Sequence, residues 1–396
     1  MDTHPIDSPR PDLRRIVVVG SGIAGAEAAL TLAIGVPDAQ VTLVGRWPSV
    51  RILPDLVYVP FEIAAQRIDM PVDALLPHGV HSVVADVLAV DATRRRLTTT
   101  AGELEFDVLI AAPGAVPIAG STNTLRTLDD ALRIRAELAA LVADAREGER
   151  RTITIRSESE DAWTAPACEF ALLLGAWLRS QRLETKIETL LATVDHDAFE
   201  WFGPVGEATV ESALRRARVQ LATGVPAGRF DALGGDLVVN FGQLEAAVVP
   251  GLPGHATSGW YETGSDFSVA PDVYVIGDAL NLPYRAGFAT AWQARRVLEA
   301  VGGDLSRLGA DIDGIPSGSV EYQMDLADGV MRARIGKAAM LGHPFLGHDA
   351  DITVAHGARP DKLAGLLLHD RILQWDASTH DAPLAFRDAL RRSAAA

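Results

Sequence analysis

The chain has 396 residues, enough for two or three domains, and its 48% hydrophobic and 22% charged residues are an ordinary globular balance. The net charge of −16 argues against a nucleic-acid partner, because binding a phosphate backbone requires a basic surface. A single cysteine excludes an internal disulfide, and the polar residues 1–15 lack the apolar core that a signal peptide would need. Since no apolar run reaches about 18 residues, we expect a cytoplasmic protein without membrane association.

Short apolar strands alternate with helical segments from residue 15 to residue 300. Residues 15–20 predict a strand, 21–32 a helix and 40–44 a second strand, and such a βαβ unit builds a parallel sheet. The remaining strands are predicted at 83–90, 95–99, 106–112, 152–156, 186–194, 219–222 and 272–276, and the remaining helices at 127–145, 166–181, 207–218 and 287–300. After residue 301 the alternation is lost, which indicates a separate C-terminal segment.

A Gly-x-Gly-x-x-Gly motif, made by Gly20, Gly22 and Gly25, lies at the turn between the first strand and the first helix. Gly20 permits a tight turn, Gly22 lets a pyrophosphate approach the backbone, and Gly25 lets the helix pack close to the strand. The helix N-terminus supplies N–H donors and positive potential for phosphates. Together with Ile23 and Ala24, these glycines predict a dinucleotide-binding site.

The second strand departs from the usual pattern at the position that contacts a ribose. An Asp or Glu is expected there, roughly 20 residues after the motif. The sequence instead reads Val44-Gly45-Arg46, and Arg46 is the residue type that suits the 2′-phosphate of NADP. The first motif alone therefore leaves both FAD and NADPH open.

A second motif decides between these cofactors in favour of FAD. Residues 272–276 predict a buried strand, which is followed by Gly277-Asp278. In flavoproteins with two dinucleotide-fold domains, such a strand is the second flavin fingerprint. Four stretches together resemble the FAD-dependent pyridine-nucleotide-disulfide oxidoreductase superfamily, and most of all its branch of sulfide:quinone oxidoreductases and type II NADH dehydrogenases; they are residues 20–29, 107–115, 275–278 and 283–294.

The resemblance covers residues 15 to about 300 and implies an α/β fold with two Rossmann-like dinucleotide-binding domains and a C-terminal segment. The implied boundaries are an FAD-binding domain in 1–118 and 246–302, a degenerate NAD(P)-binding-like domain in 119–245, and a C-terminal or interface segment in 303–396.

The resemblance also implies which residues hold FAD. The three glycines of the first motif would bind the pyrophosphate, the backbone of Val87 would meet the adenine, and Asp278 would bind a ribitol hydroxyl. The matching motifs add Ala112, Gly114 and Gly277 to the cofactor-binding residues.

The segment 285–289 is placed by the same resemblance at the pyrimidine end of the flavin. Gly287, Phe288 and Ala289 would open a helix whose N-terminal donors stabilise the negative charge of the reduced flavin. Arg285 stands where the family often has lysine and is a candidate catalytic cation, with a solvated loop charge as the alternative.

The middle of the chain lacks the second glycine-rich turn that these flavoproteins use for NAD(P)H. Residues 156–166 contain no glycine but three carboxylates, Glu158, Glu160 and Asp161, and like charges repel a pyrophosphate. We infer that NAD(P)H does not bind there in the usual way. The alternative is that this loop folds aside and the nucleotide binds nearby.

Residues 166–170 (Pro-Ala-Cys-Glu-Phe) resemble the Pro-Ala-Tyr-Glu-Phe stretch of sulfide:quinone oxidoreductases. Those enzymes use at least two cysteines beside the flavin, whereas Cys168 is the only cysteine here. Sulfide oxidation by that route is therefore not expected, and reduction by a Cys-x-x-Cys pair is impossible. Cys168 on an apolar helix is typical of a buried small side chain.

Three further features have less specific interpretations. The C-terminal histidines His343, His348, His356 and His369 match no metal template, so no metal site is expected. The aromatic and proline-rich residues 47–60 either line a substrate pocket or pack in the core. Residues 361–375 predict a helix that docks on the flavin domain or forms a dimer contact, because their small positive charge disfavours a membrane surface.

The sequence thus favours an FAD-dependent oxidoreductase that takes electrons from an unidentified small organic substrate, without a usual NAD(P)H site. Oxygen, a quinone or a protein partner would accept the electrons. The alternative is a catalytically degenerate FAD-binding subunit of a larger complex. A third reading is an NADPH-binding oxidoreductase that uses Arg46.

Overall fold

Two parallel sheets organise the chain, and their strands are joined by helices. The computed structural model describes residues 13–61, 69–77, 79–119, 123–158, 164–242, 244–280, 282, 287–308, 319–336, 351–363, 366–368 and 370–372.

The elements of the first 117 residues are, in chain order, β1 (Arg14–Val19), α1 (Ile23–Gly35), β2 (Ala39–Gly45), β3 (Ser49–Arg51), β4 (Asp69–Pro71), α2 (Val72–Leu75), β5 (Val80–Val84), β6 (Val87–Asp91), β7 (Arg96–Thr99), β8 (Gly102–Glu105), β9 (Val108–Ala111) and β10 (Ala115–Pro117). The middle part contains α3 (Leu128–Arg146), β11 (Arg151–Ser157), α4 (Ala165–Ser180), β12 (Ile187–Thr193), α5 (Gly203–Arg216), β13 (Val219–Ala222) and β14 (Leu237–Phe241). The last part contains β15 (Leu244–Ala246), β16 (Ser268–Ala270), β17 (Val273–Val275), α6 (Gly287–Ala300), β18 (Ser319–Asp325), β19 (Gly329–Gly336) and β20 (Asp351–His356).

The first sheet has the strand order β16-β17-β9-β1-β2-β5, and every pair except β16–β17 is parallel. Its central strand β1 is apolar on both faces, as a strand covered on both sides requires, with Ile16–Val19 buried. Helix α1 packs against α6 so closely that a Cβ on Gly35 would lie 2.5 Å from Leu298. The strands of this sheet therefore come from two separate stretches of the chain, residues 14–111 and 268–275.

The middle sheet has the order β13-β12-β11-β14 and is entirely parallel. The antiparallel pair β10–β15 lies where the chain enters and leaves this middle part. Together the two parallel sheets confirm the predicted two-domain Rossmann-like fold.

The predicted single strand at 83–90 is wrong, because the chain turns within it. Strand β5 ends at Val84 in the first sheet, and Ala85 donates its N–H to the carbonyl of Gly45. Strand β6 then begins an antiparallel meander with β7 and β8. A continuous apolar run does not reveal a change of sheet, since both strands have the same composition.

The C-terminal part forms a three-stranded antiparallel sheet, β18-β19-β20, and a segment that packs on the first sheet. The helix predicted at 361–375 does not begin at residue 361: residues 361–363 are not helical, and within this stretch the described helical residues are 367–368 and 370–372. Leu363, Leu366 and Leu368 are buried in the core of the first sheet, so this segment docks on the predicted FAD-binding domain. No helix among the described residues is long and apolar enough to cross a membrane.

Candidate functional site

The carboxyl ends of three neighbouring parallel strands bring the two predicted motifs together. Gly20 follows β1, Ala112 follows β9, and Gly277 comes two residues after β17. Ala112 donates its N–H to Val19, and Ile276 donates to Ala111, so the three strand ends are held side by side. This edge is where ligands bind in open α/β sheets.

The three glycines of the first motif meet different demands. Gly20 has a φ of +104°, and a Cβ there would lie 2.1 Å from the carbonyl oxygen of Ala112. A Cβ on Gly25 would lie 1.7 Å from the carbonyl oxygen of Gly20, so only glycine lets α1 start this close to β1. A Cβ on Gly22 would meet no atom within 4 Å, and Gly22 faces open space at the edge of a cleft. Two glycines therefore serve the turn, and Gly22 leaves room for a ligand.

The end of β2 has no room for the usual ribose-binding carboxylate. A Cβ on Gly45 would lie 2.4 Å from the hydroxyl of Ser21 in the glycine turn. The next residue, Arg46, forms an exposed ion pair with Asp86, which follows β5. Asp86 thus brings a carboxylate to the strand end from another segment and pairs there with the guanidinium of Arg46.

Asp278 lies in a short turn that follows β17 and is paired with a cation that sequence analysis missed. Its carboxylate accepts a hydrogen bond of 2.8 Å from Arg126 Nη2, and Arg126 Nε also donates to the carbonyl of Ala115. The turn is fixed by Gln293, which accepts the N–H of Gly277 at 2.7 Å. Gly277 has a φ of +78°, and a Cβ there would lie 2.8 Å from Ala24 of α1. The two motifs are therefore in direct contact.

A cleft begins at this edge and runs to the C-terminal sheet. Its empty volume is about 1630 Å³ with its open mouth included. Its wall near the first sheet is formed by Gly22, Ile23, Ala24, Ala112, Gly114, Arg126 and Asp278. Its other wall is formed by Leu53, Pro54, Val57, Pro166, Glu169, Phe241, Tyr322, Gln323, Asp361 and Lys362. The cleft therefore joins both parallel sheets to the C-terminal part.

A buried ion pair of Glu169 and Lys362 lines this second wall. Lys362 Nζ lies 2.8 Å from Glu169 Oε2 and 2.8 Å from the carbonyl oxygen of Pro54. The other carboxylate oxygen of Glu169 accepts the N–H of Asp325. Glu169 is 3% exposed, and burial raises its pKa, an effect that the ammonium of Lys362 opposes. A carboxyl and an ammonium in this arrangement can hold or release a proton at the cleft wall.

Tyr58 and Asp325 support this pair from behind. The Lys362 ammonium lies 4.4 Å from the centre of the Tyr58 ring, and the Tyr58 hydroxyl donates to Asp325 at 3.1 Å. Arg359 lies 3.8 Å from the same carboxylate. Burial, together with the charges of Glu169 and Asp325, raises the pKa of Tyr58, so its hydroxyl stays protonated. Lys362 is thus held by a carbonyl, a carboxylate and an aromatic face.

The end of β11, where a usual NAD(P)H turn would begin, carries an ion pair. Arg156 lies 3.4 Å from Glu158, which donates its N–H to Phe241, and Arg156 also donates to the carbonyl of Leu233. Glu160 and Asp161, from the same acidic stretch, lie outside the described residues. Helix α4 begins after this stretch, and both Pro166 and Glu169 on it face the cleft.

Six of the predicted cofactor-binding residues line the cleft, and these are Gly22, Ile23, Ala24, Ala112, Gly114 and Asp278. Gly20, Gly25 and Gly277 shape its wall from behind, as their contacts require. Arg46 follows β2 directly, and Val87 is the first residue of β6. Gly287 and Phe288 begin α6, Ala289 is buried, and Arg285 lies outside the described residues.

Arg126, Glu169 and Lys362 are the site residues that sequence reasoning missed. Glu169 had a signal, because it is a carboxylate inside an apolar helix and inside a stretch quoted for its resemblance. Arg126 and Lys362 belong to no motif. Their positions depend on long-range packing, which a single sequence does not reveal.

Cys168 does not face the cleft and is fully buried in α4, where burial raises the pKa of its thiol far above the ordinary value. Among the described residues no group of three or more potential metal ligands occurs. His356 lies on β20, whereas His343, His348, His369 and Trp375 are outside the described residues.

Comparison with known proteins identifies relatives of this fold. Residues 14–154 match the family described as pyridine nucleotide-disulphide oxidoreductases. An NADH dehydrogenase-like protein of Mycobacterium tuberculosis is 28% identical over 232 residues, which cover 54% of this chain and 56% of that protein. The chain therefore spans about half the length of the curated relatives it matches.

Solved structures share the fold at low sequence identity. The sulfide:quinone oxidoreductase of Aquifex aeolicus superimposes with a TM-score of 0.70 and 16% identity, over 92% of this chain and 90% of that one. NDH2 of Plasmodium falciparum, solved in complex with NADH, gives a TM-score of 0.54 and 13% identity, over 67% and 64% of the two chains. The match over residues 14–154 and the shared fold thus agree: the chain is similar to pyridine nucleotide-disulphide oxidoreductases in its first part, and it has the fold of the sulfide:quinone oxidoreductase and of NDH2.

Proposed function

We propose that the cleft binds FAD and that the protein is an FAD-dependent oxidoreductase that passes electrons from a small organic substrate to a quinone. The observation that carries this proposal is the single cleft that joins the two flavin motifs at one end to a buried Glu169–Lys362 pair at the other.

The residues at the first wall fit FAD. Gly22 leaves open space beside the N-terminus of α1, where a pyrophosphate would receive N–H donors. Asp278 offers a carboxylate to a ribitol hydroxyl, and the hydrogen bond from Arg126 holds that carboxylate in place. Asp86 is the carboxylate that stands nearest in sequence to the adenine-side residue Val87. When bound, FAD would supply the two-electron chemistry.

The Glu169–Lys362 pair supports a quinone as the acceptor. A quinone that receives two electrons must also take up two protons to become a quinol. The two electrons would come from the bound flavin. Lys362 would donate one proton to a quinone oxygen at the cleft wall and would be reprotonated from solvent through Glu169, and solvent at the open mouth of the cleft would supply the second proton. The apolar side chains of Leu53, Val57 and Phe241 in the same cleft suit a flat apolar head group.

A donor other than NAD(P)H is supported by the end of β11. The residues there present Glu158 and its partner Arg156 rather than a glycine turn, and the acidic stretch in the sequence opposes a second pyrophosphate. The donor is therefore a small organic substrate that reaches the cleft directly.

The proposal is tested by anaerobic mixing. The purified protein is reduced with dithionite and mixed with decylubiquinone, and the return of flavin absorbance is followed in wild type, Glu169→Gln and Lys362→Met. We expect rapid reoxidation of wild type and slow reoxidation of both variants. Lys186→Met and Glu137→Gln are matched controls, because Lys186 bonds a carbonyl far from the cleft and Glu137 lies exposed on α3.

Three outcomes would contradict parts of the proposal. Rapid bleaching of the oxidised protein by NADH or NADPH would show a nicotinamide donor. Equal reoxidation rates in wild type and both cleft variants would show that the Glu169–Lys362 ion pair does not supply protons to the quinone. A colourless protein that copurifies with another chain would favour the alternative of a subunit without redox turnover.

A further inference from the structure

A buried carboxylate in α1 has no part in the glycine turn. Glu27 is 1% exposed, although it lies in an otherwise apolar part of the helix. Its two oxygens accept the backbone N–H groups of Leu367 at 3.0 Å and Leu368 at 2.9 Å. These two donors are the first of the helical residues that begin at Leu367, more than 300 residues away in sequence, so the carboxylate caps this helical start from another element.

The anchored backbone is connected to Lys362 by short hydrogen bonds. Leu366 donates its N–H to the carbonyl of Leu363 at 3.1 Å, and Leu363 donates to the side chain of Asp361. Asp361 in turn donates its N–H to Gln323 of β18 at 2.8 Å. We call residues 361–363 and 366–368 the strap. The strap carries Lys362 across the cleft wall between the first sheet and the C-terminal sheet.

A lysine ammonium is placed by its backbone, because its four-carbon stem is flexible. Lys362 meets Glu169 and Pro54 only while the strap keeps its position. The leucines of the strap pack on the core of the first sheet, but apolar contacts are not directional and do not fix the strap's register. The two hydrogen bonds to Glu27 are directional and involve a charge, which makes them strong.

We propose that Glu27 is a positioning residue that fixes the strap and thereby holds the Lys362 ammonium against Glu169. This inference rests on the proposed function, since it assigns Glu27 to the same proton-handling pair. It also links the helix of the glycine turn to the far end of the cleft. The charged groups that face Glu27 are Arg295 of α6 and Asp370, which follows the strap.

The first test is amide hydrogen exchange of the strap in the purified holoprotein. Glu27→Gln leaves one acceptor oxygen and places an N–H₂ against the other donor. We expect the amides of Leu367 and Leu368 to exchange at least about tenfold faster in this variant, which matches the loss of a charge-assisted hydrogen bond. Leu367→Pro removes the N–H that Leu367 donates to Glu27, and proline is tolerated in the first turn of a helix. This variant therefore tests the bond between Leu367 and Glu27 if Glu27→Gln folds poorly. Glu137→Gln is the control.

The second test is a double-mutant cycle in the quinone reaction. Glu27→Gln should retain bound flavin but change the pH profile of reoxidation toward that of Lys362→Met. The double variant should be no slower than Lys362→Met alone, because Glu27 acts through Lys362.

Multiplied rate losses in the double variant would overturn the inference, as would unchanged exchange of Leu367 and Leu368. Loss of flavin with a normal reoxidation rate in the remaining holoprotein would place Glu27 in the cofactor fold instead. If quinone does not reoxidise the wild-type protein, the proposed function is contradicted. Amide hydrogen exchange of Leu367 and Leu368 then tests independently whether Glu27 fixes the strap.

Discussion

Gly22 and Gly25 are three residues apart, yet they are glycines for different reasons. Gly25 has no space for a side chain, whereas Gly22 has open space that only a ligand would fill. Gly22→Ala should therefore fold normally and lose FAD affinity by about tenfold or more, because its methyl group would block a pyrophosphate contact. Titration of the flavin-free protein with FAD, followed by flavin fluorescence, measures this loss.

Gly25→Ala is the matched comparison for that experiment. Its methyl group would overlap the carbonyl of Gly20, so we expect the free energy of unfolding to fall by about 1–3 kcal/mol, as in other overpacked cores. If Gly22→Ala bound FAD as tightly as wild type, the pyrophosphate of FAD would not contact the backbone at Gly22.

Arg126 makes a prediction that the sequence alone could not have supplied. Its removal leaves the Asp278 carboxylate without its cation in the cleft. Arg126→Met should therefore weaken FAD binding by roughly tenfold, the value of a lost charge-assisted contact. Arg307→Met, which breaks an exposed pair with Asp304, is the control and should not change FAD affinity. If Arg126→Met and Arg307→Met bound FAD with equal affinity, Arg126 would not contribute to the cofactor site.

Cys168 is predicted to be chemically inert in the folded protein. It is fully buried, and burial raises the pKa of its thiol, so the reactive thiolate is absent near neutral pH. A thiol reagent such as Ellman's reagent should label no cysteine in the native state and one cysteine in denaturant. Rapid labelling of the native protein would contradict this prediction, because it would show that Cys168 is accessible and reactive in the folded state.

At the scale of elements, α1 and the strap predict a pH dependence of stability. Burial raises the pKa of Glu27 from 4.5 to about 6, with the N–H groups of Leu368 and Leu367 opposing. The pKa of Glu27 is higher in the folded state than in the unfolded state, so protonated Glu27 stabilises the fold. This contribution to the free energy of unfolding is fully present below pH 4.5 and is lost as the pH rises through 6. The loss amounts to about 2 kcal/mol.

Urea unfolding at a series of pH values measures this effect as a difference between wild type and Glu27→Gln. The wild type should lose stability relative to the variant between pH 4.5 and 6, and Glu137→Gln should show no such trend. If the difference in the free energy of unfolding between wild type and Glu27→Gln did not change with pH, burial would not raise the pKa of Glu27.

The elements differ in how far their sequence predicted them. Helix α3 was predicted almost to the residue, since Thr127 caps it and Asp130 completes a capping box within the local sequence. The strand at 83–90 was wrong, because the break at Ala85 depends on a hydrogen bond to Gly45 in another strand. Residues 361–363 of the strap were wrongly predicted as helix for the same reason: Asp361 bonds to Gln323 and Leu367 bonds to Glu27, and both partners are distant in sequence.

At the scale of the whole molecule, the cleft assembles residues that lie far apart along the chain. The first wall was predicted because its glycines and Asp278 stand in motifs with a local physical cause. The second wall was not predicted, since Glu169 and Lys362 meet only through the docking of the strap. The same distribution would let one cleft receive the proposed cofactor from one side and the proposed acceptor from the other.

The central claim is that the glycine turn and Asp278 enclose one FAD. The most direct measurement is the absorption spectrum of the purified protein, with mass identification of the compound released on denaturation. We expect a flavin spectrum, one FAD per chain, and weaker FAD binding in Gly22→Ala. A folded protein that contains no flavin and takes up none when FAD is added would contradict it.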